Sequence, residues 1–360
     1  MKPQEAGAFL TIRLNAIAEN YRALVERLGE TACGAVLKAD AYGLGAAQIG
    51  KTLYDAGCRD FFVAYGFEGA KLRETVPEGD IYVLHGVFAD TENDFYDASL
   101  IPVLNTPEQL KRWADFAKAK GEKLPCALHV DTGMTRLAFT EEQVFALTSD
   151  AFENLNVVTV LSHLVSGEKG DALNDVQLKR FNALCARLKT VLSAPFKESL
   201  AASSGIFLGK PFHKELVRAG IVLYGFMENL TPAVELKARI LEIQTVSPQQ
   251  TIGYGATARL PDGGKVATVS LGYGDGYPRL LGNAGHAFVN GKKVPVIGHV
   301  SMDLTVLDVS DLTERELQQA RFAEFIGKYG SLAELAKIAK TIDYEFLTNL
   351  GNRLYRIYES

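Results

Sequence analysis

Lys38 closes the apolar run Cys33–Leu37 and opens the polar stretch Lys38-Ala39-Asp40-Ala41-Tyr42-Gly43-Leu44-Gly45. An amine held at the end of a buried run is desolvated, which lowers its pKa and makes it a nucleophile toward an aldehyde. Schiff-base chemistry is the reaction this residue suggests. Taken singly, a lysine so placed is more often a solvated charge, but its company changes the weighing. The polar residues that follow other apolar runs are His129, Asp131, Thr132 and Arg136, then His163, then Ser203-Ser204-Gly205, then Arg218-Ala219-Gly220-Ile221. Glycine-bearing loops that enter helices offer free backbone N–H groups to an anion, so the last two segments would suit a phosphate. A lysine with a phosphate site suggests pyridoxal phosphate, although turn geometry alone explains each glycine taken by itself. An aldolase that uses Lys38 without a cofactor stays open on these residues, and an absorbance spectrum separates the two.

The elements that would carry these residues are eight short apolar runs, Cys33–Leu37, Phe61–Tyr65, Ile81–Leu84, Ile101–Leu104, Cys126–Val130, Val157–Leu161, Ser199–Ala202 and Leu216–Val217. Between them the spacing is helical, as in Leu110, Trp113, Ala114, Phe116 and Ala117 after Asn105-Thr106-Pro107, or Val176, Leu178, Phe181, Leu184, Cys185 and Leu188 after Asn174. Strands alternating with helices imply parallel βα units, and eight of them imply a closed barrel whose chemistry sits at the carboxyl ends of the strands. After Thr231-Pro232 the period changes to two, in Leu241 and Ile243 and again in Val300, Met302, Leu304 and Val306, and glycines punctuate the segment. The expected architecture is an α/β (β/α)8 TIM-like barrel over residues 1–230 followed by a β-rich domain over residues 231–360, with one helix near Leu332–Lys340.

Composition excludes several classes of function. The 360 residues are 47% hydrophobic and 22% charged, close to the soluble globular average, so a large core is available. Lysine and arginine number 38 against 43 acidic residues, which leaves no basic excess for nucleic acid or anionic lipid. No signal peptide or run of membrane-spanning length is evident, so a cytoplasmic location is expected. Cys33, Cys58, Cys126 and Cys185 lie far apart, and neither a metal site nor a disulfide framework is expected from them.

Along essentially its whole length the chain resembles the alanine racemase family of fold-type-III pyridoxal-phosphate enzymes. The resemblance is carried by VLKADAYGLG at 36–45, HVDTGMTRLAF at 129–139, LSHL at 161–164 and VRAGIVLYG at 217–225. In the second half it is carried by IGYGAT at 252–257, SLGYGDGYPR at 270–279 and GHVSMDLTVLDV at 298–309. It implies that Lys38 binds the cofactor aldehyde and, once released, is the base on the D face of the α-carbon, with Tyr254 serving the L face. Two bases on opposite faces are what inversion of a planar carbanion requires. It further implies that Arg218 faces the pyridine nitrogen, and that His163, with Arg218, tunes Tyr254. Tyr42, Ser204 and the backbone of Gly220 and Ile221 would hold the phosphate, and Arg136 would contact the cofactor's phenolic oxygen or the substrate carboxylate. Met302 would contribute to substrate binding, Tyr273 would narrow the entrance, and Asp303 would stand near it. The implied protein is a head-to-tail homodimer in which the second domain completes the partner's site, and the implied role is to supply D-alanine for peptidoglycan.

Three positions depart from the family pattern. His129 stands where many members carry a lysine that becomes carbamylated and orients the arginine; an ion such as chloride is one substitute. Ser203 replaces a common asparagine. Asn352 falls where some members have a tyrosine that crowds the substrate pocket, which suggests a side activity on serine. Two rival readings are a decarboxylase of the same fold type and a non-catalytic pyridoxal-phosphate carrier. The decarboxylase would need a carboxylate at the pyridine nitrogen and a late cysteine, whereas this chain has Arg218 and no cysteine beyond Cys185. The carrier would need only the first 230 residues.

Overall fold

A computed structural model describes residues 2–167, 170–227 and 229–360. In chain order the strands begin with β1 (Ala8–Arg13), β2 (Ala32–Val36), β3 (Asp60–Val63), β4 (Asp80–Val83) and β5 (Leu100–Leu104). They continue with β6 (Leu124–His129), β7 (Leu155–Leu161), β8 (Lys197–Ser199) and β9 (Leu216–Ala219). The later strands are β10 (Val234–Val246), β11 (Gly264–Val269), β12 (His286–Val289), β13 (Lys292–Pro295), β14 (Thr305–Asp308), β15 (Phe322–Ile326) and β16 (Tyr355–Glu359). The chain divides into two units, one of residues 17–41 and 45–230, the other of residues 2–16, 42–44 and 231–360.

In the first unit the order is β8-β7-β6-β5-β4-β3-β2-β9, and every ladder is parallel. Each of the eight apolar runs of the sequence overlaps a strand here, Ser199–Ala202 only at Ser199, where β8 ends. The ring closes between β8 and β9 through a bridge from Ala202 to Arg218 and a bond from Ser199 Oγ to the Leu216 carbonyl at 2.7 Å. β3, β5 and β9 are buried at every residue, as expected of strands covered on both faces. Helix Pro107–Lys120 starts on the Thr106 side chain, carries proline in its first turn and ends on left-handed Gly121. Helix Ala172–Leu188 is capped by Asp171, three residues before the Asn174 expected to precede it.

The second unit is antiparallel apart from one pair. Its order is β13-β12-β15-β10-β1-β16, with β11 between β10 and β14. β1 lies antiparallel to β10 and parallel to β16, so the amino-terminal residues build this unit. Alternation holds from Val234 to Ala238, and a register shift between Ile240 and Glu242 changes its phase, which leaves Leu241 exposed. Val300–Leu304, which alternates like a strand, is instead a turn closed by Ser301 N–H on the Leu304 carbonyl at 2.9 Å. Gly272 permits this: a methyl there would lie 2.4 Å from the Met302 oxygen. Besides Leu332–Ile338, helices Glu314–Gln319 and Asp343–Thr348 are present. The first opens on a capping box of Thr313 and Glu316 that is readable in the sequence.

Candidate active site

Lys38 follows β2, and the residues after it turn left-handed. Ala39, Asp40, Ala41 and Tyr42 have φ between 52° and 59°. A run of non-glycine residues there is strained by roughly 1 kcal/mol or more per residue and persists only when its surroundings impose it. Glu68 imposes part of it. One of its oxygens accepts from Ala39 N–H at 2.7 Å, and the other accepts from Ala64 and Tyr65 at 2.8 and 3.1 Å. Asp40 then accepts from Ala46 N–H at 2.8 Å and ties the turn to the next helix. Desolvation lowers the Lys38 pKa, the charges of Arg136 and Arg218 lower it further, and Glu68 opposes them. Each lowering effect moves the amine toward its neutral, nucleophilic form.

Arg218, 3% exposed on β9, is the buried centre of the group. Its Nη1 donates to the Ser199 carbonyl and hydroxyl at 2.9 and 2.7 Å, and its Nη2 to the Ser162 carbonyl at 2.6 Å. Nη2 also lies 3.3 Å from Nδ1 of His163. Burial pulls even this guanidinium down to about 10. His163 is pushed down to about 3 by desolvation and then by the charges of Arg218 and Arg136, so its ring is neutral at pH 7. His129, the last residue of β6, is likewise pushed down to about 3 by desolvation, Arg218 and Arg136. His129, Arg136, Ser162 and His163 line one small cavity.

The loop that bears Arg136 is folded by Asp131, whose carboxylate accepts from the N–H groups of Gly133, Met134 and Thr135. Gln177, buried on helix Ala172–Leu188, joins this loop to the His163 loop. Its Nε2 donates to Thr132 Oγ1 at 2.9 Å and to the His163 carbonyl at 3.0 Å, and its Oε1 accepts from Val165 N–H at 2.8 Å. Ser203 accepts from Gly220 N–H at 2.9 Å, which links the two segments expected to meet a phosphate. Ser204 begins the turn Ser204–Leu208, and Ile221 begins the turn Ile221–Tyr224. The structure thus brings Lys38, His129, Arg136, His163 and Arg218 together in one unit.

The remaining expected residues belong to the other unit. Tyr42 is buried there with its ring 5.9 Å from that of Tyr344, and burial raises its phenol pKa. Tyr254 is 72% exposed in a short turn, and Tyr273 and Met302 are also exposed. Met302 accepts from Gly274 N–H at 2.8 Å, so its carbonyl is held beside Tyr273. Asp303 pairs with Arg353 at 2.7 Å, and Asn352 is exposed beside that arginine. Glu68, Asn105, Gln109 and Gln177 were not singled out as site residues in the sequence. Among the described residues no group of three or more His, Cys, Asp or Glu could hold a metal, and the four cysteines are free and buried.

Pyridoxal phosphate demands an amine for its aldehyde, a partner for its ring nitrogen and donors for its phosphate. The donor set fits. Lys38 is tuned toward the neutral amine, Arg218 is fixed by several bonds, and two arginines, Arg136 and Arg218, act on Lys38 with Glu68 as the opposing charge. An anionic ligand relieves such an excess. The first N–H groups of the Ile221–Tyr224 turn have no partner within it. Fold and site together define a (β/α)8-barrel enzyme of the pyridoxal-phosphate class, with a lysine at one strand end.

Comparison with known proteins makes this particular. A family model described as alanine racemase, N-terminal domain, matches residues 12–228, and one described as alanine racemase, C-terminal domain, matches residues 233–358. The chain belongs to the alanine racemase family. An alanine racemase of Methylobacterium sp. (strain 4-46) is 42% identical over 98% of both chains. One of Rhizobium meliloti (strain 1021) is 39% identical over 98% of this chain and 97% of its own. The crystal structure of alanine racemase from Bartonella henselae with covalently bound pyridoxal phosphate superposes with a TM-score of 0.92 at 36% identity, covering 98% of this chain and 99% of that one.

Proposed function

We propose that this protein interconverts L- and D-alanine with Lys38 and Tyr254 as the two acid–base groups. The observation that carries the reading is the lysine at the end of β2 with its amine driven toward neutrality by burial and by Arg136 and Arg218. Lys38 would hold the cofactor's aldehyde, Arg218 its ring nitrogen, His163 its ring, and Ser204, Gly220, Ile221 and Tyr42 its phosphate. Bound there, pyridoxal phosphate supplies an electron sink that acidifies the substrate α-carbon.

Lys38 Nζ takes or returns the α-proton on the D face, and the Tyr254 hydroxyl does so on the L face. Arg136 binds the substrate carboxylate with its planar fork. Arg218, a permanent cation, would face the cofactor's ring nitrogen and disfavour a proton there, which would weaken the sink it supplies and favour return of the proton to the α-carbon. The Met302 backbone contributes to substrate binding, while Tyr273 and Asp303 shape the entrance. His129 would orient Arg136.

The exposure of Tyr254, Tyr273, Met302 and Leu280 in one unit supports a head-to-tail homodimer, in which a second copy covers them. The enzyme would be cytoplasmic and would supply D-alanine for peptidoglycan; no helix among the described residues is long and apolar enough to cross a membrane. The smaller Asn352 supports a side activity on serine. Incubating the purified protein with each alanine enantiomer in deuterated water tests the reading. Deuterium should enter the α-carbon and the opposite enantiomer should accumulate; no exchange from either would refute it.

A further inference from the structure

Behind the cavity lined by His129, Arg136 and His163 lies a buried amide. Asn105 follows β5 and has no exposed surface. Its Nδ2 donates to the carbonyls of Val103 at 2.7 Å and Leu84 at 3.1 Å. Both partners are acceptors, so the amide cannot be turned over without setting Oδ1 against two carbonyl oxygens. Oδ1 therefore faces His129 Nδ1, 2.9 Å away. An acceptor in that place requires Nδ1 to carry the proton, which leaves Nε2 as a bare acceptor.

The amide is itself held. Asn105 N–H donates to Gln109 Oε1 at 2.9 Å, and Gln109 Nε2 donates to the His85 carbonyl at 2.8 Å. Gly86 makes room for this glutamine: at φ +73°, a methyl there would lie 2.4 Å from Gln109 Oε1. The strand ends of β4 and β5 thus fix the orientation of the imidazole on β6. Burial keeps the His129 ring neutral first of all; of the charged groups acting on it, Arg218 and Arg136 add to this and Asp131 opposes them.

We propose that Asn105 is a positioning residue that holds His129 as the neutral Nδ1–H tautomer, so that Nε2 offers Arg136 an uncharged acceptor in the cavity both line. An anion in this place would orient the guanidinium and also neutralise it. A neutral imidazole orients it and leaves its charge for the carboxylate it binds. The inference rests on the reading that Arg136 binds substrate.

The test uses 15N-histidine-labelled holoenzyme, with the His129 signals identified by their loss in His129→Asn. At pH 7.5 the wild type should show a protonated Nδ1 and a bare Nε2; an Nε2–H tautomer or a charged ring would overturn the proposal. In Asn105→Asp the new carboxylate should draw a second proton onto the ring. KM for alanine should then rise about tenfold, the equivalent of one lost hydrogen bond, with kcat changed less. His129→Leu should raise KM similarly. His129→Gln, whose amide can donate to Asn105 and accept from Arg136, should keep KM within about threefold of the wild type. KM unchanged in both Asn105→Asp and His129→Leu would also overturn the proposal. A wild type that fails to racemise alanine would refute the functional reading instead, and the tautomer measurement would still decide the role of Asn105.

Discussion

Arg218 Nη2 approaches Nδ1 of His163 at 3.3 Å. Arginine can only donate, so Nδ1 is the bare nitrogen and the proton of this imidazole sits on Nε2. The guanidinium also makes a second proton on His163 unfavourable. His129 is held neutral by burial and by the same arginine but has its proton on Nδ1, where it meets Asn105. Two histidines on one cavity are therefore neutral with opposite tautomers.

That neutrality has a cost in acid. The unfolded chain protonates each histidine below its ordinary value near 6.5, whereas the folded chain refuses the proton until about 3. The unfolded state binds more protons in this window, so stability is complete above pH 6.5 and is lost as pH falls toward 3. The loss is about 1.4 kcal/mol per pH unit for each histidine. In urea unfolding between pH 6.5 and 5, His163→Gln should lose less stability than the wild type by about that slope. Identical slopes would show that His163 is not held neutral.

Lys38 is the residue whose loss should be most complete. Lys38→Ala should fold as the wild type does, yet lose the visible absorbance of the bound cofactor and all racemisation. A yellow, active variant would remove Lys38 from its role.

The strand ends were legible because apolar runs of five or so residues, closed by polar ones, are what a strand covered on both faces leaves in a sequence. Lys38, His129, His163 and Arg218 were found by that route. Asn105 was not, because an asparagine before Thr-Pro reads as a cap; Thr106 caps the helix, and Asn105 is buried against β4 and β6. Glu68 and Gln177 look like ordinary helix residues, and only the approach of loops distant in sequence turns their side chains into ties. Likewise β1 is not distinguished by its residues from a barrel strand. Its pairing with β10, more than two hundred residues later, depends on where the chain returns.

Tyr254→Phe should separate the two faces of the reaction. The substitution keeps the ring and removes only the hydroxyl, so cofactor absorbance should persist. Turnover of L-alanine should fall by roughly a hundred- to ten-thousand-fold, the usual worth of a positioned acid–base group. Exchange of the α-proton of D-alanine with solvent should continue through Lys38. Loss of cofactor together with turnover would mean that the tyrosine is structural.

Asn352 gives the specificity prediction. Both of its neighbours are tied: Gly351 N–H donates to the Asp275 carbonyl at 2.9 Å, and the Arg353 side chain pairs with Asp275 and Asp303 at 3.0 and 2.7 Å. Serine exceeds alanine by one hydroxyl, a difference that an open site rejects weakly and a crowded one rejects by about tenfold or more. The wild type should racemise serine measurably with alanine preferred, and Asn352→Tyr should lower kcat/KM for L-serine by at least about tenfold while changing that for L-alanine by less than about threefold. Undetectable serine turnover in the wild type, or an equal loss for both amino acids in the variant, would remove Asn352 from control of specificity.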